Sequence, residues 1–254
     1  MGMPAGRFAD VRWFAELDST NRLAADLARA GAPDGVVVVA DHQTAGRGRR
    51  GRTWDSRPGA SLLVSVILRP APALVTLAAG VAAAEACEAV AGVGVGLKWP
   101  NDLLLDGAKL GGILSELVGD AAVVGLGLNL AWAPAGAAKL GPSGPLSGKL
   151  GPSGPLSGKL GLSGPLSGKL GSRADRDRLL DAYLAGLDAT GDVLARYRDR
   201  CTTLRRRVRV EVPGATIEGV ATDVDDDGRL LVDGRAIAAG DVVHVRPGLH
   251  AGDT

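Results

Sequence analysis

The sequence has 254 residues, 46% of them apolar and 22% charged, with a formal net charge of +1. This is enough apolar material for one good-sized core plus a small second unit, and the balance excludes a disordered or low-complexity chain. The near-zero charge excludes a global field that would draw the whole molecule to nucleic acid or membrane, so any affinity for anions must come from a local cluster.

At the N-terminus, residues 1–14 lack a basic start followed by an apolar stretch, so no secretory signal is read. The most apolar run, Ala73 to Ala84, is too short to span a bilayer and runs into Glu85 and Glu88. The expected compartment is the cytoplasm, with no membrane partner. Cys87 and Cys201 stand far apart, with neither disulfide nor zinc spacing, and read as reduced packing thiols.

Asp18-Ser-Thr-Asn21 is a cluster of good helix N-caps. Leu23, Ala24, Leu27 and Ala28 follow at helical spacing and Gly31 ends the pattern, predicting a helix over 20–30 whose start faces a site. Val36 to Ala40 is a β-branched run and reads as a buried strand. Residues 41–60 hold many glycines and arginines and no apolar run, which predicts a loop that takes shape only around an anionic ligand. Leu62 to Leu68 reads as a strand and Leu74 to Val90 as a long Ala-rich helix. Gly96 to Trp99 and Leu103 to Leu105 are short strands around Pro100, and Asp106-Gly107 is a hairpin signal. Lys109 to Leu117 and Val123 to Leu130 then pair as strands. The result is an α+β fold, a mixed and mostly antiparallel sheet with packed helices.

Residues 141–170 are three copies of a decapeptide, GPSGPLSGKL, with Leu162 replacing proline in the third. Gly, Pro and Ser dominate, so burial has little to set against the entropy of ordering, and the segment reads as a low-complexity insert. Ser172 then caps a helix from Ala174 through Leu187, and a second helix runs from Val193 to Leu204. Beyond it the pattern alternates. Val208 to Val212, Ile217 to Ala221, Leu230 to Val232 and Val242 to Val245, with Asp-Gly turns between, predict about five strands of a small SH3-like β-barrel. The expected domains are therefore 1–204, containing the insert, and 205–254.

Four segments carry chemistry. Asp41 to Asp55 holds Arg47, Arg49, Arg50 and Arg52 among Gly46, Gly48 and Gly51. Glycines let backbone approach a phosphate, and guanidinium forks match phosphate or carboxylate oxygens. Taken alone, the loop equally suits a solvated basic stretch or a nucleic-acid backbone. Lys98-Trp-Pro-Asn-Asp102 places a lysine, an amide and a carboxylate around a proline, a set able to serve ATP phosphates and Mg²⁺. Lys109-Leu-Gly-Gly112 opens a strand with a lysine and two glycines, and glycine within a strand is costly unless something must approach the backbone. Gly125-Leu-Gly-Leu-Asn129 gives a strand with one flat face.

With Ser19-Thr20-Asn21, these motifs stand in the order seen in biotin protein ligases, which the chain resembles from about residue 13 to 130. The small C-terminal barrel is similar too. The resemblance implies a class II synthetase-like ligase fold and an AMP-forming, ATP-dependent enzyme. Such an enzyme makes biotinyl-5′-AMP and transfers biotin to a lysine of a carboxylase biotin carrier domain. It implies that biotin is held by Ser19, Thr20, Asn21, Gln43, Gly46, Arg47, Arg49, Lys109 and Gly112. ATP would be held by Arg47, Arg49, Arg50, Arg52, Trp54, Lys98 and Asn129. Arg49, Lys109 and Asp102 would be catalytic, with Asp102 also holding Mg²⁺. A homodimer is an arrangement the resemblance allows.

Two departures stand out. Only 12 residues precede Trp13, too few for the operator-binding winged helix of many relatives, so no DNA partner is expected. The decapeptides replace a short connection that relatives carry. The alternatives are a lipoate ligase or octanoyltransferase of the same fold, and a nucleic-acid-binding module using the Gly/Arg loop. Near-neutral charge and few aromatics weigh against the last.

Overall fold

The computed structural model describes residues 6–141, 173–189 and 191–244. The decapeptide repeats from residue 142 on, the Ser172 cap and everything past His244 lie outside the described residues.

The larger sheet has seven strands in the order β1-β2-β3-β7-β6-β5-β4. They are β1 (Val11–Leu17), β2 (Val37–Gln43), β3 (Ser61–Leu68), β4 (Gly96–Lys98), β5 (Asp102–Leu105), β6 (Ala108–Val118) and β7 (Ala121–Asn129). Only β1 and β2 run parallel. The β5–β6 turn is the expected Asp106-Gly107 hairpin, both residues at positive φ. Strand β1 was not expected from the sequence. It lies at the sheet's edge, only partly buried, and so carries no clean alternation.

The sheet separates two layers by strand alternation. On one face, Leu62, Val64, Val66 and Leu68 of β3 with Ala122, Val124, Leu126 and Leu128 of β7 join the main core. That face is covered by α2 (Val75–Ala91), α3 (Arg173–Asp188) and α4 (Val193–Arg200). Small residues allow the close approach of α2 and α3, since a Cβ on Gly186 would lie 2.9 Å from that of Ala82. On the other face, α1 (Thr20–Arg29) buries Ala24, Ala25 and Ala28 against Val36, Val38 and Ile67. The sequence places α1 there because its small residues fall on one stripe.

Helix α4 ends four residues short of the expected Leu204. Cys201 leaves the helix and bridges Leu97 of β4, and Thr202 N–H donates to the Leu97 carbonyl at 2.7 Å. Sheet pairing takes over where helical periodicity alone would continue.

The expected C-terminal strands form a five-stranded antiparallel sheet of order β11-β10-β9-β8-β12. They are β8 (Arg207–Val212), β9 (Ala215–Val224), β10 (Leu230–Val232), β11 (Arg235–Ile237) and β12 (Asp241–His244). Their inward residues, including Val208, Val210, Leu230 and Val242, are continuous with the main core.

Candidate functional site

The cleft floor is built by glycines on β6 and β7. Gly112, Gly125 and Gly127 point to the α1 face. A Cβ on Gly127 would sit 2.5 Å from the Trp54 indole, and one on Gly125 would strike Asn21 Oδ1. At Gly112 an added Cβ would have Lys109 Nζ and Trp54 Cζ3 as neighbours, both at 3.6 Å. The glycines are therefore the condition for Trp54 and the start of α1 to lie on the sheet.

At one end stands the first turn of α1. Ser19, Thr20 and Asn21 are buried, and Ser19 makes no side-chain cap bond. The orphan N–H groups of the helix start are served from outside. Gln43 Oε1 accepts from the Thr20 amide at 2.7 Å and from Thr20 Oγ1 at 3.0 Å. Asn21 Nδ2 donates to the Leu114 carbonyl at 3.1 Å and to Glu116 Oε2 at 3.0 Å. Ser65, fully buried on β3, lies beneath both residues. Ser19 lines the cleft without capping the helix.

Lys109 and Asp102 form the opposite wall. Between β5 and β6 the register shifts: Leu103 pairs with Gly111, but Leu104 pairs with Lys109. The extra residue, Leu110, turns into the core, and Lys109 comes to the same face as Gly112. Lys109 Nζ lies 2.6 Å from Asp102 Oδ1 and 5.9 Å from the centre of the Trp54 ring.

The arginine loop closes the cleft. It is a tight excursion held by a bridge between Arg47 and Thr53, with a single 3₁₀ turn over Arg49–Gly51. In place of a loop shapeless without ligand, the backbone makes its own bonds: Gly48 N–H to the Arg52 carbonyl at 2.7 Å and Trp54 N–H to the Gly46 carbonyl at 3.0 Å. The arginines divide. Arg47 Nη1 lies 3.5 Å from Glu116, and Arg49 donates to Asn101 Oδ1 at 3.0 Å. Arg50 and Arg52 reach instead to Asp241 on β12, at 3.4 and 2.8 Å. Burial holds the Arg49 guanidinium below its ordinary pKa, opposed by the charge of Asp241. Its charge is poorly solvated, which suits it to an incoming anion.

The cleft is open to solvent on one side and has a cavity volume of about 110 Å³. Of the expected residues, Ser19, Thr20, Asn21, Gln43, Arg47, Arg49, Arg52, Trp54, Lys109 and Gly112 line it. Gly46 adjoins it, hard against Gln43 Nε2, and Asp102 enters through Lys109. Three others are not among the lining residues. Arg50 turns to the Glu211 carbonyl and Asp241. Lys98 sits on edge strand β4, near His244. Asn129 is buried, its Nδ2 donating to the Ala138 carbonyl and its Oδ1 without a partner among the described residues.

Sequence reasoning missed Asn101, Glu116 and Ser65. Asn101 stood inside the quoted Lys98–Asp102 motif, so its signal was visible. Ser65, a lone serine in an apolar strand, gave none. Among the described residues no group of three or more His, Cys, Asp or Glu gathers as a metal site. There, too, no helix is long and apolar enough to cross a membrane.

Residues 13–129 match the Biotin/lipoate A/B protein ligase family, and residues 203–245 match the Biotin protein ligase C terminal domain. The chain is 39% identical over 255 residues to the biotin--[acetyl-CoA-carboxylase] ligase of Mycobacterium tuberculosis, covering 91% of this chain and 88% of that protein. Over 126 residues it is 44% identical to the bifunctional ligase/repressor BirA of Escherichia coli, covering 45% of this chain and 39% of that protein. Among solved structures, the biotin protein ligase of Aquifex aeolicus in complex with biotin and ATP shares the fold. Its TM-score is 0.69 at 24% identity, over 94% of this chain and 99% of that one.

Proposed function

The chain belongs to the biotin protein ligase family, and we propose that it is an ATP-dependent biotin–[acetyl-CoA-carboxylase] ligase, forming biotinyl-5′-AMP and passing biotin to a lysine of a carboxylase carrier domain. The observation that carries this is the convergence on one cleft of Ser19-Thr20-Asn21, Gln43, the arginine pair Arg47 and Arg49, and Lys109. These come from three separate stretches of chain. The C-terminal match, to the Biotin protein ligase C terminal domain, favours biotin over lipoate.

The cleft divides by chemistry. At the α1 end are hydroxyl and amide groups suited to a ureido ring: Ser19, Thr20 and Gln43. At the other end Lys109, Arg47 and Arg49 provide positive charge. A carboxylate is a poor acyl donor. In the first step a carboxylate oxygen of biotin attacks the α-phosphorus of ATP, pyrophosphate leaves, and a mixed anhydride with AMP forms. Both reactants are anionic, and the three cations screen their repulsion and stabilise charge developing at phosphorus. Trp54, packed on Gly127, would offer a ring face to the adenine. In the second step a neutral lysine amine attacks the acyl carbon, AMP leaves, and the amide nitrogen loses a proton. The arginine loop keeps water from the anhydride in between.

Mg²⁺ fits as a companion of the nucleotide. Asp102, whose Oδ1 accepts from Lys109, would supply one carboxylate, since magnesium is commonly held by one or two carboxylates plus substrate phosphates, whose charge it would neutralise. A second cleft adjoins the first, sharing Arg49, Asn101 and Ile113 and walled by Glu116 and Asp227. Its carboxylates suit the approach of a lysine. We assign residues 1–204 to the ligase unit and 205–254 to its C-terminal unit, and the cytoplasm as its compartment.

The test is pyrophosphate release from ATP and Mg²⁺ with biotin or with lipoate. Release with biotin alone is expected. Release with lipoate alone moves the chain to the sister activity, and silence with both overturns the reading.

A further inference from the structure

The buried polar atoms under α1 are not accounted for by the ligand-facing residues alone. Strand β3 turns Ser61, Leu63, Ser65 and Ile67 toward the α1 face. Ser65 is fully buried there, in a strand otherwise written in Leu, Val and Ile. A buried hydroxyl is costly unless it is paired, and this one is paired twice. Its oxygen lies 2.7 Å from Asn21 Oδ1 and 2.8 Å from Thr20 Oγ1.

The partners' own commitments define what Ser65 does. Both amide hydrogens of Asn21 are engaged, by the Leu114 carbonyl and by Glu116. Asn21 Oδ1 is thus turned inward as an acceptor, and the single Ser65 hydroxyl hydrogen is shared between it and Thr20 Oγ1, whose own hydrogen goes to Gln43. Thr20 gives both its amide and its hydroxyl hydrogens to Gln43 Oε1. That leaves Gln43 Nε2, beside Gly46, as the group this amide turns the other way. The order of donors and acceptors on the cleft floor therefore runs back through Thr20 and Asn21 to one serine.

We propose that Ser65 is a positioning residue: it fixes the hydrogen-bonding sense of the Thr20, Asn21 and Gln43 side chains, and so the cleft's selectivity for a ring bearing both N–H donors and a carbonyl acceptor. Ser65 does not line the cleft. It acts through residues that do. The inference deepens the reading of the cleft as a biotin site and rests on it.

A matched control lies on the same strand. Ser61 is equally buried and faces the same side, but its hydroxyl has no partner among the described residues. Ser65→Ala and Ser61→Ala remove the same atom from the same kind of environment, and only the first breaks the network. For Ser65→Ala the biotin KM is expected to rise about tenfold, the size of effect expected for a stranded buried acceptor, with the ATP KM and kcat within about twofold of the parent. Ser61→Ala should move none of them. Ser65→Cys keeps the size and a weak donor and should fall between; it also serves if the alanine variant fails to fold.

A second readout needs no ligand. The Asn21 side-chain amide hydrogens, both bonded in the parent, should exchange with solvent about fivefold faster in Ser65→Ala, as measured by NMR, and unchanged in Ser61→Ala. Equal losses in the two alanine variants, or a biotin KM and an Asn21 exchange rate both unmoved in Ser65→Ala, overturn the inference. A parent protein that forms no adenylate from biotin overturns the functional reading instead, and the exchange experiment still decides the role of Ser65.

Discussion

Lys109 Nζ lies 2.6 Å from Asp102 Oδ1 because a bulge between β5 and β6 turns the lysine out of the core and onto the cleft wall. The pair joins the group expected to face the carboxyl–phosphate junction to the group expected to touch Mg²⁺. Lys109→Gln should slow pyrophosphate release by about 100- to 1000-fold, the size typical of losing one donor aimed at developing charge. Asp102→Asn should also slow it. Because the two act together, the double variant should be little worse than Lys109→Gln alone. Fully multiplicative losses would show that they work separately.

Arg49 is the half-buried arginine of the glycine–arginine loop, donating to Asn101 Oδ1 at 3.0 Å. Arg49→Ala should release biotinyl-adenylate about 10- to 100-fold faster, as expected for a lost charge-assisted bond, with the melting temperature nearly unchanged. Rapid quench with and without acceptor measures the leakage. An unchanged release rate contradicts the role given to Arg49.

Arg50 adopts a left-handed φ of 55° and, with Arg52, reaches Asp241 across the boundary to the C-terminal sheet. A non-glycine residue in that conformation needs support from its surroundings. Asp241→Asn should loosen the loop, so that trypsin cuts the ligand-free protein after Arg50 and Arg52 about fivefold faster, the effect of losing roughly 1 kcal/mol. Equal cleavage rates would mean that the loop holds itself.

Gly127→Ala places a Cβ 2.5 Å from the Trp54 indole and should displace that ring. If Trp54 packs on adenine, the ATP KM should rise about tenfold, since stacking is worth about 1–3 kcal/mol per base. The biotin KM should move less. A rise in the biotin KM alone would reassign the ring.

His244 joins β12 to the catalytic unit through Thr203 Oγ1, 3.4 Å away. Burial first, then Lys98 and Arg206, hold its imidazole below the ordinary value of 6.5. The folded state therefore resists a proton that the unfolded state accepts. Between the folded and unfolded values the unfolded chain binds more protons, so stability rises with pH. The contribution is complete above 6.5 and is lost as pH falls from 6.5 through the folded value. Denaturant titrations at about pH 8 and about pH 5 should show a smaller loss on acidification for His244→Gln than for the parent. An identical loss would remove His244 from the account.

Most strands and helices were legible because hydrophobic period and turn residues act locally. Val36–Ala40, Asp106-Gly107 and the Ala-rich α2 each carry their own signal. The site was legible as motifs, because glycines and arginines in an apolar chain are expensive without a ligand. What was illegible depends on distant partners. The bulge at Leu110 appears only when β5 pairs with β6. The division of the arginines depends on Asp241, 189 residues from Arg52. Ser65 acquires meaning only under α1, and α4 stops at Arg200 because β4 is waiting for Cys201.

Strand β7 carries two texts on alternate residues: Ala122, Val124, Leu126 and Leu128 belong to the interior, Gly125 and Gly127 to the cleft. On the glycine side Ala121 and Val123 are themselves buried under α1, so only the cleft end of that side answers to the ligand. A saturation scan across 121–129 should accordingly show losses of abundance at 121–124, 126 and 128, and at 127 a loss of turnover larger than the loss of abundance. The same interleaving leaves no neutral way to shift the strand by one residue, since a slip would trade leucines for glycines on both faces at once.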